Sequence, residues 1–304
     1  MFSTRSGAVR LCFVVVIGLI VLKVVVAVVT GSISVLAQAV DSFLDLFAVA
    51  ITFFSIRIAA KPADYEHPFG HGKAENIAAV GQAMLVLTAG GLIIYSAVRR
   101  IIAGVPIELA EAGIGVMLAS IIVSIFLSRH LFKVSRATDS IALEACARNI
   151  AADVYSAAAV LAGLVAVRFT GLNILDPVIA LVVALVILKA AYDILRRSFG
   201  GLIDVRLPKA EEDEIRSCIM EQSGQLVGFH ELRTRKAGNQ RFIEFHLVMP
   251  KNVSVEEAHR VCDHLEHEIE NRLQHTSVTI YVEPCSTECD QCSVPCSLRE
   301  RDLS

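Results

Sequence analysis

A chain of 304 residues that is 54% hydrophobic and 19% charged, with mean hydropathy +0.59, carries more apolar side chain than a water-soluble core buries. An ordinary soluble enzyme is excluded. A formal net charge of -3, no Trp and 6% aromatic residues offer no basic or stacking surface for a polyanion, so no nucleic-acid partner is expected.

The apolar excess lies before Phe199 and divides into six runs, about Leu11 to Val29, Ile33 to Ile58, Ala74 to Ala97, Ala110 to Leu131, Ile141 to Phe169 and Ile174 to Leu195. Each approaches the ~20 residues that cross ~30 Å of hydrocarbon at ~1.5 Å per residue. The first lacks a small-residue cleavage pattern and runs straight into the second, so it reads as a spanning helix rather than a signal peptide. Arg5, Arg10, Arg57, Lys61, Lys73, Arg129, Lys133, Arg136, Arg196 and Arg197 fall on one side of such a bundle, against Arg99, Arg100 and Arg168 on the other. By the positive-inside tendency both termini are then cytoplasmic.

From Asp204 the composition turns soluble. An acid-rich amphipathic helix is expected over Lys209 to Glu221. Two strands follow, His230 to Arg235 and Arg241 to Met249, joined by a turn at Ala237-Gly238-Asn239. A helix from Val255 to Leu273 and a strand from Val278 to Glu283 complete the unit. The expected class is an α-helical membrane protein with six transmembrane helices plus a small cytoplasmic α+β (αββαβ) domain. Its parts are a transport domain over 1–203, a regulatory and dimerisation domain over 204–284 and a Cys-rich tail over 285–304.

Ionisable groups within the apolar block are costly, about 2.5 to 3.5 kcal/mol each at the centre of a spanning helix, and so mark a pathway. Asp41 and Asp45 are four residues apart in the second run, and Asn149 and Asp153 repeat that spacing in the fifth. Each pair shares one helix face. If the faces meet, three carboxylates and one amide oxygen converge, and a divalent cation or bound protons must neutralise them. The competing reading makes Asp41 a turn cap and Asn149 an interhelical hydrogen-bonding group. In the loop after the second run, Asp64, His67 and His71 stand among Gly and Pro, a composition suited to wrapping a borderline cation.

Together the Asp-x-x-x-Asp of the second helix, the Phe-Gly-His-Gly-Lys-Ala-Glu loop, Asp153, the Gly-Leu-Ile-Asp204 exit and the Leu-Arg-Thr-Arg strand resemble the cation diffusion facilitator family. The chain is similar in particular to the bacterial YiiP-type branch, over about Leu11 to Cys285. The resemblance implies a homodimeric, proton-coupled exporter of divalent transition metal in the lipid of a bacterial inner membrane, not an enzyme. By position it implies a transport site of Asp41, Asp45, Asn149 and Asp153, and a loop site of Asp64, His67 and His71. It further implies a dimer-stabilising salt bridge of Lys73 with Asp204, and cytoplasmic ligands His230, His246, His259 and Glu283.

Two departures bear on the cargo. Asn149 stands where zinc and cadmium members carry His, which leaves an all-oxygen site suited to Mn(II), with Fe(II) next and zinc or cadmium export as the alternative. It also removes an imidazole from proton coupling, which then rests on carboxylates. Tyr281 replaces a family His, so one cytoplasmic site is expected to be altered. Cys285, Cys289, Cys292 and Cys296 are spaced for one tetrahedral thiolate centre, zinc or iron-sulfur, with incidental thiols as the competing reading. Cys12, Cys146, Cys218 and Cys262 read as core residues. An intramembrane diaspartate enzyme and a non-transporting metal sensor are the readings from other classes. Neither explains the intramembrane pairs together with the His-bearing loop.

Overall fold

A computed structural model describes residues 4–30, 33–103, 111–170, 174–222 and 226–285, with only the helical placement of Asp41 among its details. Six long helices come first: α1 (Arg5–Thr30), α2 (Ile33–Ala59), α3 (Lys73–Ala103), α4 (Glu111–Thr138), α5 (Ile141–Thr170) and α6 (Leu175–Leu202). They correspond to the six apolar runs but are longer. In α4, for example, the helix continues past Leu131 through Lys133 and Arg136 to Thr138. Hydrophobicity marks only the part of a helix that faces lipid, whereas backbone hydrogen bonding carries it on into the polar headgroup layer. Among the described residues, four stretches are long and apolar enough to cross a membrane: Arg5–Val26, Lys73–Arg99, Leu118–Thr138 and Pro177–Leu202.

Side chains from α1, α2, α4 and α5 share one apolar cluster, with Cys12, Val49, Leu131, Leu143, Cys146 and Ile150 buried in it. The α3 and α6 helices instead pack on each other. Val86 of α3 meets Ile187 and Ala191 of α6, and a Cβ at Gly90 would come within 2.7 Å of Leu188. Near the other end of the pair, the Asn76 amide donates to Ser198 O at 3.2 Å and occupies the space that a side chain at Gly201 would need. A group of four and a pair thus emerge, joined through α5, whose Ala145 shares a third buried cluster with Ala79 and Ala83 of α3 and Ile194 of α6.

Chain contacts separate Met1–Leu202 from a second compact unit, Ile203–Ser304. This unit contains α7 (Lys209–Glu221), β1 (Gly228–Ala237), β2 (Gln240–Met249), α8 (Val255–Arg272) and β3 (Thr276–Pro284). The sheet order is β1-β2-β3, with β1 antiparallel and β3 parallel to β2. A two-residue loop closes the β1–β2 hairpin, and Gly238, at φ +63, supplies the left-handed backbone that a side chain resists. Strands extend beyond the alternating runs, β1 beginning at Gly228 and β3 at Thr276, because ladder pairing continues where hydrophobic alternation has stopped.

Alternation decides the two faces of this sheet. Ile243, Phe245 and Leu247 of β2 point into a core completed by Ile215 and Ile219 of α7 and Leu265 and Ile269 of α8. The intervening Glu244, His246 and Val248 belong to the opposite face. One irregularity interrupts β1: His230 pairs with His246 but Arg233 pairs with Glu244, so an extra residue is accommodated, and Glu231 takes φ +51. The helices are tied at the rim by Arg272 of α8, whose Nη1 donates to Glu214 at 3.3 Å and Glu221 at 2.9 Å on α7.

At the start of α8, Ser254 Oγ accepts from Glu257 N while the Glu257 carboxylate accepts from Ser254 N, each at 3.2 Å. This reciprocal pairing satisfies two otherwise orphaned donors. Ser254→Ala is expected to lower the stability of this second unit by about 1 kcal/mol in urea unfolding. Ser254→Asp is expected to retain most of it.

Candidate metal centre

Among the described residues, ligand-type side chains gather in three of the regions singled out by the sequence. Within the helical unit, the polar faces of α2 and α5 meet: Asn149 Nδ2 donates to Asp45 Oδ1 at 3.3 Å. Asp153 follows Asn149 by one helical turn and is exposed in the single chain. Asp41 lies one turn from Asp45 on α2, but its side chain is outside the described residues. A cavity of about 160 Å³ opens on the adjacent face of α5, lined by Arg148, Tyr155 and alanines of α5 and α6. It is apolar and contains none of the four transport-site candidates.

The loop between α2 and α3 folds around its own carboxylate. Asp64 Oδ1 accepts from His67 N at 2.7 Å, and Gly70 N bonds His67 O at 2.9 Å with Gly70 at φ +79. This turn brings His67 Nδ1 to 3.2 Å from Asp64 Oδ1 and His71 Nε2 to 3.4 Å from Asp64 Oδ2. The two imidazole rings lie 4.3 Å apart between centroids. One ligand atom from each residue falls within 4.8 Å of the others, a spacing that one cation can span. The His67 backbone hydrogen bond, followed by the neighbouring imidazoles, holds the Asp64 carboxyl below the usual carboxylate range.

The third constellation lies on the face of the sheet away from the apolar core. His230 of β1 and His246 of β2 are direct cross-strand partners, with ring centroids 5.2 Å apart. Glu283 of β3 spans both: Oε2 is 3.1 Å from His230 Nε2 and Oε1 is 2.6 Å from His246 Nδ1. The Tyr281 ring packs beside His246 at 5.1 Å, in the place where the resemblance leads one to expect another imidazole. The other expected ligand, His259, is apart from this trio on α8, 72% exposed and 3.5 Å from Asp263.

One participant was not legible from the sequence. Glu231 neighbours His230 and, in a regular strand, would point to the opposite face. The bulge turns it instead, bringing Glu231 Oε2 to 3.8 Å from His246 Nε2. The positive φ at Glu231 and the register shift between His230 and Arg233 mark the change.

The remaining candidates find ordinary partners. Lys73 Nζ donates to Leu202 O at 3.2 Å, and Asp204 Oδ1 is 3.5 Å from Arg235 Nη1. Cys285 is buried at the end of the sheet, where its N–H donates to Met249 O at 2.8 Å and continues the β2–β3 pairing. Cys289, Cys292 and Cys296 lie outside the described residues. Cys12 and Cys146 are buried in the helical core, and burial pushes the thiols of Cys218 and Cys262 up, keeping them protonated.

Comparison with known proteins matches residues 9–203 to the cation efflux transmembrane domain and residues 207–285 to the cation efflux protein cytoplasmic domain. An uncharacterised transporter of Synechocystis is 34% identical over 84% of this chain and 83% of its own length. The cation-efflux pump FieF of Shewanella oneidensis is 33% identical over 89% of this chain and 90% of its own. A solved structure of the transporter CzrB is 42% identical over 26% of this chain and 99% of that one, with a TM-score of 0.26.

The carboxylate at the sheet site has a definite pH signature. The hydrogen bond with His246, then its charge and that of His230, lower the Glu283 pKa. A depressed carboxylate contributes stability that is complete above its unfolded pKa, about 4.3, and is lost as the pH falls through the folded value. Carboxyl NMR titration of the metal-free protein is expected to give a Glu283 midpoint below about 4.3. His246→Ala is expected to move it back up.

Proposed function

Since the chain belongs to the cation efflux family, the cation diffusion facilitators, we propose that it expels divalent transition-metal cations from the cytoplasm in exchange for protons, with Mn(II) as the preferred cargo. It is a membrane transporter and not an enzyme. All six long helices cross a bacterial inner membrane in this reading, with both termini and the α+β unit in the cytosol. The working protein is a homodimer, as the cytoplasmic-domain match and the Lys73 and Asp204 positions suggest.

The observation that carries the reading is the 3.3 Å contact between Asn149 and Asp45. It supports a site in which α2 and α5 offer their Asp and Asn side chains to one ion. Asp41, Asp45 and Asp153 supply negative charge, and Asn149 supplies a neutral oxygen once its amide turns. A dication neutralises the carboxylates while it is bound. When it leaves, protons take its place, because several adjacent carboxylates in a low-dielectric site do not stay charged together. Rocking of the helices about this fixed site would carry the exchange, as in other secondary transporters.

Oxygen-only ligation favours Mn(II) and then Fe(II) over metals that prefer nitrogen or sulfur. Zinc is the second reading, favoured by the imidazole pairs His67 with His71 and His230 with His246. We assign the loop trio to a cation near the membrane surface. The sheet trio is assigned to sensing of cytosolic metal, with His259 serving a separate site and Tyr281 leaving one family ligand missing. The four tail cysteines, if they bind metal, form a zinc thiolate centre.

Uptake into inverted vesicles or proteoliposomes, compared across Mn(II), Fe(II), Zn(II), Cd(II) and Co(II), tests this reading. Wild type is expected to move Mn(II) fastest, and Asp45→Ala and Asp153→Ala are expected to abolish flux. Asn149→His is expected to shift preference toward Zn(II). A wild type that moves only Zn(II) or Cd(II) would overturn the manganese assignment, and a wild type that moves none of the five would overturn metal export.

A further inference from the structure

Glu75 is charged by composition yet has no exposed side-chain surface, and it belongs to none of the metal constellations. It lies in the first turn of α3, where its N–H bonds Gly72 O at 3.1 Å. Its carboxylate is gripped from two other helices. Arg5 Nη1, at the start of α1, donates to Oε1 at 2.8 Å, and Ser140 Oγ donates to Oε2 at 2.5 Å. Ser140 also caps α5, its Oγ accepting from Leu143 N at 3.4 Å. One buried anion thus sits among the N-terminal ends of three helices, where their partial positive charges favour it.

This anion joins the two groups into which the helices sort. Arg5 and Ser140 belong to the side of α1 and α5, in the four-helix group, whereas α3 packs with α6. Where the two groups meet, Ala79 and Ala83 of α3 pack with Ala145 of α5 and Ile194 of α6, and Ile141 and Leu195 close over them. A second polar anchor lies two turns along α3 on the same face: buried Gln82 Nε2 donates to Ala48 O at 3.1 Å and to Thr52 Oγ1, both on α2. Thr52 is two turns beyond Asp45, toward the end of α2 that leads into the metal-binding loop. The polar anchors therefore span the passage between that loop and Asp45.

We propose that Glu75, clamped by Arg5 and Ser140, is a positioning residue that latches the cytoplasmic ends of α1, α3 and α5 together and releases when the transport site opens to the cytosol. The inference rests on the export reading and deepens it. Opening between the two groups must part Glu75 from Arg5 or Ser140, since those partners are on the opposite side of the seam. The carboxylate then becomes accessible to water, which replaces the lost donors and makes the open state reachable. Weakening the latch favours the cytosol-open form without touching any cation ligand.

The test uses full-length protein in inverted vesicles, with Ser55→Cys as reporter in a background whose other cysteines are replaced by alanine. Ser55 is buried, 6% exposed, three residues beyond Thr52 on α2. Arg5→Gln and Glu75→Gln are each expected to speed labelling by a membrane-impermeant maleimide from the cytosolic face by about tenfold, the loss of one charge-assisted hydrogen bond. The metal concentration for half-maximal flux should fall while the maximal rate also falls, and the double variant should match either single one. Arg5→Lys should restore native labelling. Labelling at the native rate in Arg5→Gln, or effects of the two variants that simply multiply, would overturn the latch. Arg5→Gln carries the test if Glu75→Gln does not fold. Failure of export itself is separately visible, as absence of flux in the native protein.

Discussion

A charge placed among apolar helices must be neutralised where it stands, and this requirement organises the helical unit. Hydrocarbon supplies no counter-ion and no water, so every ionised side chain there needs a partner from another helix or a bound ion. Glu75 finds the Arg5 guanidinium and the Ser140 hydroxyl, whereas the Asn149 amide gives Asp45 a hydrogen bond but no counter-charge. The apolar stripes determine which helices touch, but these polar contacts determine the register in which they touch. A Leu in place of Glu75 would pack, yet it would leave the Arg5 guanidinium without its carboxylate and the α5 cap without its acceptor.

The cytoplasmic unit separates adhesion from recognition by the pleat of a three-stranded sheet. Odd-numbered positions of β2, Ile243, Phe245 and Leu247, bind the sheet to α7 and α8, while His246 stands on the other face with His230 and Glu283. A change in ligand chemistry can therefore occur without a change in core packing. Tyr281 illustrates this: it replaces an expected ligand and lies against His246 on the open face, leaving the buried layer intact.

Much of this was legible in the sequence because two physical signals are strong. Long apolar runs located the six helices, and an Asp pair and an Asn–Asp pair at four-residue spacing pointed to faces of α2 and α5 that touch through Asp45 and Asn149. The α+β order and the Gly238 turn followed from alternation and turn chemistry. Three features were less visible. Helix ends beyond the lipid-facing segment carry no hydropathy signal. Glu75 was read only as part of a family loop, because burial of a carboxylate depends on what approaches it from α1 and α5, far away in sequence. Glu231 escaped because a bulge breaks the period-two rule on which strand reading depends.

That bulge has a further consequence for the charge of the sheet face. By rotating Glu231 out of alternation, it sets a second carboxylate 3.8 Å from His246 Nε2, while Arg233 Nη2 holds that same carboxylate at 2.9 Å. Two cations would then share one anion: a dication seated by His230, His246 and Glu283 would draw on a carboxylate that the Arg233 guanidinium already holds. Each arrival would add two positive charges to this exposed face, so its field changes with occupancy and is felt over about the 8 Å screening length of physiological salt.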